Sequence, residues 1–112
     1  MHQKDLSDIP RTWESLLIAL GGEGMDIMRV SRRNSDGPLF HARANIDSIK
    51  VAPAAGDNPS VDLSMNRTIY FKEYKCVAEK YNKYVLGDEL RANFKKCGFN
   101  SSYIFSMIDH IL

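Results

Sequence analysis

The hydrophobic pattern begins with a helical period. One helical face is marked by the i, i+3, i+4, i+7 spacing of four apolar residues, Trp13, Leu16, Leu17 and Leu20. Ser7 or Asp8 suits the capping position before it, and Pro10 suits the first turn, where the missing N–H costs nothing. Gly21 can adopt the left-handed conformation that ends a helix. The pattern predicts an N-terminal helix that ends at Gly21.

From Met25 the period changes to two, which is typical of strands. The segment 25–31 predicts one strand, and the alternation of Phe40, Ala42, Ala44 and Ile46 with polar residues predicts a second with one wet face. The Asp36-Gly37 pair between them is a hairpin signal. Ile49 and Val51 extend the second strand or begin another. Residues 52–60 predict a surface loop, after which Val61, Leu63 and Met65 alternate again.

The last third returns to a helical period with clear stops. Tyr74, Val77, Ala78, Tyr81 and Val85 mark one face of a helix that Gly87 ends. Asp88 predicts the cap of a second helix, which buries Leu90, Phe94 and Cys97 and ends at Gly98. A third helix is expected to be capped by Asn100, Ser101 or Ser102. Its core face is marked by Ile104, Met107, Ile108 and Ile111. Residues 67–75 fit either a strand or the start of the first of these helices.

These elements predict a single α+β domain over residues 1–112, with a frayed segment at 1–7. The N-terminal helix precedes a small antiparallel sheet of two or three strands between about residues 25 and 70. The C-terminal cluster of three short helices is expected to pack on this sheet, because so small a sheet needs its apolar face covered.

Composition and charge indicate the class of protein and the compartment in which we expect it. The chain has 112 residues, a formal net charge of +1 and 44% hydrophobic residues, which fits a globular domain and gives no strong overall attraction to polyanions. Residues 67–98 are locally basic, with eight Lys and Arg against four Asp and Glu. Two cysteines, Cys76 and Cys97, with no CxxC spacing, predict buried reduced thiols. We expect a cytoplasmic protein with no membrane association.

Candidate catalytic chemistry is sparse in the sequence. His2, His41 and His110 stand in no metal-binding spacing, and no glycine-rich loop follows a strand, so no cofactor is predicted. One constellation is sharper. If residues 72–76 formed a strand, Glu73 and Lys75 would share a face, and with Asp62 they would form the site of a minimal magnesium-dependent nuclease. On a helix, Glu73 and Lys75 would diverge.

Two groups of residues are candidates for nucleic-acid binding. The first resembles a helix-turn-helix in its glycine turn and in the polar cap of the following helix. Its candidate residues are the cations Lys95 and Lys96, the capping Ser101 and the ring of Tyr103. Against it, residues 103–112 contain no Lys or Arg. The second is an arginine-rich hairpin formed by Arg29, Arg32, Arg33 and Arg43, provided that strand pairing brings Arg43 close to Arg29.

The sequence favours a small non-enzymatic binding or regulatory module that acts through a protein partner or through self-association. An apparent excess of aromatic residues suggests an exposed surface and a homodimer, namely Tyr70, Tyr74, Tyr81, Tyr84, Phe99, Tyr103 and Phe105. A nucleic-acid-binding module is the alternative, and the magnesium-dependent nuclease is a second alternative.

Overall fold

The computed structural model describes residues 1–30, 38–54 and 66–112. Their elements run in the order α1 (Ile9–Leu20), β1 (Met25–Met28), β2 (Leu39–Ala44), β3 (Ser48–Pro53), β4 (Arg67–Tyr70), α2 (Phe71–Leu86), a 3₁₀ helix (Arg91–Cys97) and α3 (Ser101–Ile111). The predicted α+β class is confirmed, with its N-terminal helix, antiparallel sheet and C-terminal helices.

The sheet is an antiparallel meander of four strands in the order β1-β2-β3-β4. It has more strands than predicted because Arg67–Tyr70 pairs with β3 before the chain turns into α2 at Phe71. Alternate residues point to one face and are buried there, and we call this the inner face: Ile27, Phe40, Ala42, Ile49, Val51 and Ile69. We call the opposite face the outer face.

The helices pack together against the inner face. Helix α1 contacts β2, α2 and α3, and it buries Trp13, Leu16 and Leu20 of its predicted stripe. Its ends are as predicted: the Asp8 carboxylate accepts the Arg11 N–H at 3.3 Å, and the Gly21 N–H donates to the Leu17 carbonyl. The apolar stripe and the two caps therefore determine both the extent and the orientation of α1.

Aromatic rings form the contacts between the helices. Trp13 of α1 lies 5.1 Å from Tyr74 of α2, and Tyr84 of α2 stacks on Phe105 of α3 at 4.8 Å. Of the seven aromatic residues predicted to be in excess, only two are exposed, Tyr70 and Phe99. The other five are buried in the core. The aromatic excess that suggested a homodimer is therefore mostly absent.

The β2–β3 connection differs from the predicted alternation. Ile46 was expected on the buried face, but it is 94% exposed. The strand ends at Ala44, and the Asn45 N–H donates to the Ser48 carbonyl at 2.8 Å to close a tight turn. Ala52 and Pro53, predicted as loop, belong to β3. The rest of the predicted 52–60 loop after Ala54, the Asp36-Gly37 turn and the alternation at 61–65 lie outside the described residues.

The N-terminal segment was predicted to be frayed, but it is bound to the C-terminal helices. The Asn82 side chain accepts the Lys4 N–H at 2.9 Å and donates to the Lys4 carbonyl at 2.7 Å. The Tyr81 hydroxyl donates to the His2 carbonyl at 2.8 Å. The Asn82 amide satisfies both backbone groups of Lys4, as a neighbouring strand would.

The second C-terminal helix is a 3₁₀ helix and not the predicted α-helix. Asp88 does not cap it, because the helix begins at Arg91 and Leu90 occupies the capping position. The Asp88 N–H instead donates to the Lys83 carbonyl at the end of α2. Leu90, predicted to be buried, is 70% exposed, and Phe94 is the buried residue of this helix.

The prediction of reduced thiols is wrong, because Cys76 of α2 and Cys97 of the 3₁₀ helix form a disulfide. Their separation of 21 residues gives no sequence signal, and the pair forms because the chain reverses direction after α2 and brings the Cα atoms to 5.5 Å. Across residues 1–30, 38–54 and 66–112, no helix is long and apolar enough to cross a membrane.

Replacement of Gly24 is expected to destabilise the fold. Gly24 has φ +73°, and a Cβ there would overlap the Ala42 carbonyl oxygen and lie 2.7 Å from the Arg43 Cβ. We expect Gly24→Ala to lower the free energy of unfolding by about 2 kcal/mol or more, from left-handed strain and crowding together. Gly22→Ala is the matched control, since nothing lies within 4 Å of its added Cβ. Urea denaturation measures both, and equal effects would contradict the close packing at Gly24.

Burial of tyrosine hydroxyls is expected to make the fold sensitive to alkali. Burial raises the pKa of Tyr81, and the charge of Asp109 raises it further. Burial also raises the pKa of Tyr74, although its hydrogen bond with Thr12 acts in the opposite direction. Above a pH of about 10 the unfolded chain loses these protons before the folded chain does, so the free energy of unfolding falls.

We expect Tyr81→Phe to cost about 1 kcal/mol at neutral pH, for the lost hydrogen bond to His2. The same variant should lose less stability than the wild type between neutral pH and a pH above 10. Urea denaturation at the two pH values measures this difference. Parallel losses in wild type and variant would contradict a contribution from Tyr81.

Candidate functional site

The predicted arginine patch is not assembled by the described residues. The Arg29 N–H donates to the carbonyl of Pro38, which directly precedes β2. Arg43 lies five residues beyond Pro38, and five residues of a strand span about 17 Å. Their side chains also differ in direction: Arg29 lies over the ring of Tyr103 at 5.3 Å, next to the helices, whereas Arg43 is on the outer face. Arg32 and Arg33 lie outside the described residues.

The predicted helix-turn-helix site is not formed either. Ser101 and Tyr103 are buried, at 4% and 3% exposure, and Tyr103 packs edge-on against Phe40 at 5.0 Å. The Ser101 hydroxyl accepts a hydrogen bond from Arg91 Nη1 at 2.9 Å. Seven of the eleven residues of α3 are buried, so this helix has no free face for a DNA groove. Lys95 and Lys96 alone of the predicted set are exposed.

The strand that the nuclease hypothesis needs is absent, because residues 72–76 belong to α2. Glu73 and Lys75 therefore diverge by about 200° around the helix axis. Both carboxylate oxygens of Glu73 are occupied: Oε2 accepts the Asn100 N–H at 3.0 Å, and Oε1 accepts from Asn100 Nδ2 at 2.9 Å. Asp62 lies outside the described residues.

Strand pairing places one histidine beside an aspartate on the outer face. His41 Nδ1 lies 2.9 Å from Asp26 Oδ1, and His41 Nε2 lies 2.9 Å from the Glu23 carbonyl oxygen. Both partners accept hydrogen bonds, so the imidazolium form of the ring can donate to both at once. These contacts use both ring nitrogens to fix the Gly24 turn on the sheet, which gives His41 a structural role.

The pairing register of β2, β3 and β4 places a row of polar and cationic side chains on the outer face. Arg43 of β2 pairs with Lys50 of β3, and Lys50 pairs with Thr68 of β4. Directly opposed residues on one face have Cβ atoms about 5 Å apart. Lys50 Nζ donates to Thr68 Oγ1 at 2.9 Å, which turns the ammonium group toward β4. Two cationic side chains therefore start from paired positions on a polar face, and the Lys50 ammonium group is directed away from Arg43.

Tyr70 continues this row toward the helices. It is the last residue of β4, on the same face as Thr68, and its side chain is 55% exposed. Beyond it lies an open cleft of about 420 Å³ lined by Tyr70, Lys72, Glu73, Cys76, Lys96 and Cys97. We call Arg43, Lys50, Tyr70, Lys72 and Lys96 the basic stripe. It runs from the middle of the sheet across its edge to the 3₁₀ helix.

Glu73 and Gly98 fix the far wall of this cleft. The hydrogen bonds from Asn100 to Glu73 join the first turn of α2 to the cap of α3. Gly98 has φ +137°, and a Cβ there would overlap the Glu73 carboxylate. The carboxylate is therefore held against the backbone at 98–100, where each of its oxygens accepts one hydrogen bond from Asn100.

The other side of the 3₁₀ helix is also basic. A second open cleft of about 510 Å³ is lined by Arg91, Ala92, Lys95, Gly98, Phe99 and Ser101. Phe99 is 88% exposed, and residues 91–99 contain three cations and no acidic residue. Both exposed aromatic residues of the set, Tyr70 and Phe99, thus lie beside lysines.

The basic stripe combines positive charge with an accessible π-face. Its four cations have three carboxylates near them. Glu73 is bound to Asn100, Asp47 lies in the turn before Ser48, the pairing partner of Tyr70, and Asp26 contacts His41, two residues from Arg43 on the outer face. Such an arrangement can attract a chain of phosphates and stack a base or another planar group on Tyr70.

Sequence reasoning missed Lys50 and Lys72, and it named Tyr70 only as one of the excess aromatic residues. A signal for Lys50 and Tyr70 is present in the alternation, because Lys50 stands between the apolar Ile49 and Val51, and Tyr70 follows the apolar Ile69. This alternation places both on a wet face. It does not give the register that sets Lys50 beside Arg43, or the chain reversal that sets Lys96 beside Lys72.

Within the described ranges, no three His, Cys, Asp or Glu side chains are grouped so that they could hold a metal ion. In comparisons with known proteins, no family model, no curated protein and no solved structure matches this chain.

Proposed function

We propose that this protein is a non-enzymatic binding module whose basic stripe holds single-stranded nucleic acid. The observation that carries the proposal is the exposed ring of Tyr70 in the middle of a contiguous row of cations. Grooves of this kind bind single strands through phosphate neutralisation and base stacking, and they tolerate many sequences because every base has a π-face.

The shape of the stripe favours a single strand over a duplex. A base can stack on Tyr70 only when it is free of its neighbours, as in a single strand. Groove reading of a duplex would need a projecting helix or ribbon, and α3 is mostly buried in the core. The stripe follows the sheet surface, which a flexible strand can trace.

The contacts of Glu73 and His41 support a role without catalysis for these two side chains. Both oxygens of Glu73 bind Asn100, and both ring nitrogens of His41 face acceptors. A general acid or base needs a position from which it can exchange a proton with a substrate. Glu73 and His41 are instead occupied by contacts that hold the fold together.

A cytoplasmic location remains part of this proposal. It no longer rests on reduced cysteines, because Cys76 and Cys97 are joined. Disulfides in cytosolic proteins are usually transient or redox-sensing, and this disulfide lines the cleft that contains Lys72 and Lys96.

Binding of a single-stranded oligonucleotide should depend on salt and on the stripe. With a labelled oligonucleotide of about 12 nucleotides, we expect micromolar affinity at low salt and a log–log salt slope of about −3, for four neutralised phosphates. Lys50→Ala should reduce the slope by about 0.7. Tyr70→Ala should weaken binding by about 1–3 kcal/mol, and Tyr70→Phe should retain it. Fluorescence anisotropy across a salt series measures the affinity and the salt slope of the wild type and the three variants.

Arg11→Ala is the matched control for charge, because Arg11 is an exposed cation on α1, on the opposite side of the sheet. It should leave the affinity and the slope unchanged. Absence of binding at low salt, a zero slope, or stripe variants that behave like Arg11→Ala would reject the proposal.

Self-association or binding of a protein partner is the second candidate function. The observation that favours it is exposed aliphatic surface at the turn after α2, where Leu86 is 60% and Leu90 is 70% exposed. Interfaces bury such residues at their centres. The aromatic residues that first suggested a homodimer are mostly buried, so this turn carries the hypothesis.

If the turn forms a homodimer, sedimentation equilibrium at micromolar concentration should give twice the mass of the chain. Leu90→Glu should then shift the protein to monomer with a stability change within about 0.5 kcal/mol, because the side chain is exposed in the single chain. Ile18→Glu, the same kind of change at an exposed aliphatic residue of α1, should leave the dimer intact. A wild-type protein that sediments only as monomer would exclude the homodimer.

A further inference from the structure

The Cys76–Cys97 disulfide lies at the surface, in the wall of the basic stripe. Both cysteines are partly exposed and line the open cleft with Tyr70, Lys72 and Lys96. The disulfide therefore borders the space that the proposed ligand occupies, and a dissolved thiol that enters this cleft meets the two cysteines.

The disulfide holds one end of an otherwise lightly anchored element. The 3₁₀ helix Arg91–Cys97 buries only Phe94, whose ring meets Phe105 at 4.8 Å and Tyr84 at 5.4 Å. Arg91 binds Ser101 at the other end. Short 3₁₀ helices have poor hydrogen-bond geometry and gain little stability of their own. At the end that carries Lys96, the bond at Cys97 and the packing of Gly98 on Glu73 join this helix to α2.

We propose that Cys76–Cys97 is a dithiol–disulfide exchange site that regulates the basic stripe. In the oxidised protein, the disulfide holds Lys96 and Lys72 on opposite sides of one cleft. In the reduced protein, residues 95–99 separate from α2 while Phe94 and the core stay in place. The effect on ligand binding rests on the proposed function, whereas the exchange and the local opening do not.

Exchange with a dithiol reductant conserves atoms and electrons. One reductant thiolate attacks Sγ of Cys76 or Cys97, a new intermolecular S–S bond forms, and the other cysteine leaves as a thiolate. The second reductant thiol, as thiolate, then attacks the mixed disulfide and releases the remaining cysteine. Two electrons pass to the protein, the reductant ends as a cyclic disulfide, and its two protons end on the two cysteine sulfurs.

The surrounding charges favour this chemistry. Lys72 precedes Cys76 by one helical turn, and Lys96 is the neighbour of Cys97, so whichever sulfur leaves does so beside an ammonium group. Nearby cations stabilise thiolates and attract the incoming thiolate. The acidic group in the cleft, Glu73, is bound to Asn100 and held against Gly98.

Release of Cys97 need not unfold the rest of the chain. The Glu73–Asn100 hydrogen bonds still join α2 to the start of α3, and Tyr84 still stacks on Phe105. The part that loses its attachment is short and lies between Phe94 and Asn100. It carries Lys96 of the basic stripe, together with Lys95 and the exposed Phe99, which line the second cleft.

The test uses the whole chain, oxidised or treated with dithiothreitol in native buffer. We expect maleimide to label two thiols after treatment and none before. Amide hydrogen exchange should become faster at 91–99 and stay unchanged in α1 and the sheet. Affinity for the single-stranded oligonucleotide should fall about threefold to tenfold, the range for loss of one or two exposed ionic contacts.

The Cys76→Ser/Cys97→Ser double variant is the matched control, because it should behave like the reduced protein and ignore dithiothreitol. If this variant does not fold, the wild-type comparison stands alone. Three results would overturn the proposal: thiols that become reactive only in denaturant, unchanged exchange at 91–99 after reduction, or faster exchange throughout the chain.

The two proposals can fail separately. If the oxidised protein binds no oligonucleotide at low salt, the proposed function fails, yet labelling and hydrogen exchange still decide whether reduction opens residues 91–99. If the oxidised protein binds and reduction leaves the affinity unchanged, ligand binding survives and the regulatory role of the disulfide is rejected.

Discussion

Burial of a single sheet face is the constraint on which the rest of this structure depends. An antiparallel meander can leave one face in water, but its other face needs a cover of helices. Here the cover comes from both ends of the chain, and aromatic contacts such as Trp13 with Tyr74 and Tyr84 with Phe105 join the helices into one layer. Because these rings fill the core, the protein has little aromatic surface left over. What remains exposed, Tyr70 above all, is therefore informative about function.

The uncovered face is where the charge pattern has its effect. Arg43 and Lys50 are directly opposed across two strands, and like charges in such pairs destabilise a sheet slightly. Water screens that repulsion, so the sheet can accommodate it at small cost. A phosphate chain would neutralise both charges at once. A local arrangement that costs stability and suits a ligand is typical of a binding surface.

In the C-terminal region, a few contacts position the surface that carries Lys96. Two hydrogen bonds from Asn100 to Glu73, one buried ring at Phe94 and the Cys76–Cys97 bond hold the 3₁₀ helix beside α2. The hydrogen bonds and the ring lie away from the solvent-open side, whereas the disulfide lies on it. A covalent bond in that place can make the position of Lys96 depend on the redox state of the surroundings, while the aromatic core does not.

Local pattern and composition determined the class of the fold, the extent of α1 and its caps, and the alternation that buries Phe40 and Ile49. These features depend on neighbours a few residues apart, which a sequence displays directly. The register, the disulfide and the docking of residues 1–7 depend on pairs far apart in the chain, such as Lys4 with Asn82. Only the tertiary structure decided them. The candidate site belongs to this second group, because the chain meets itself at Lys72 and Lys96 only after it reverses direction behind α2.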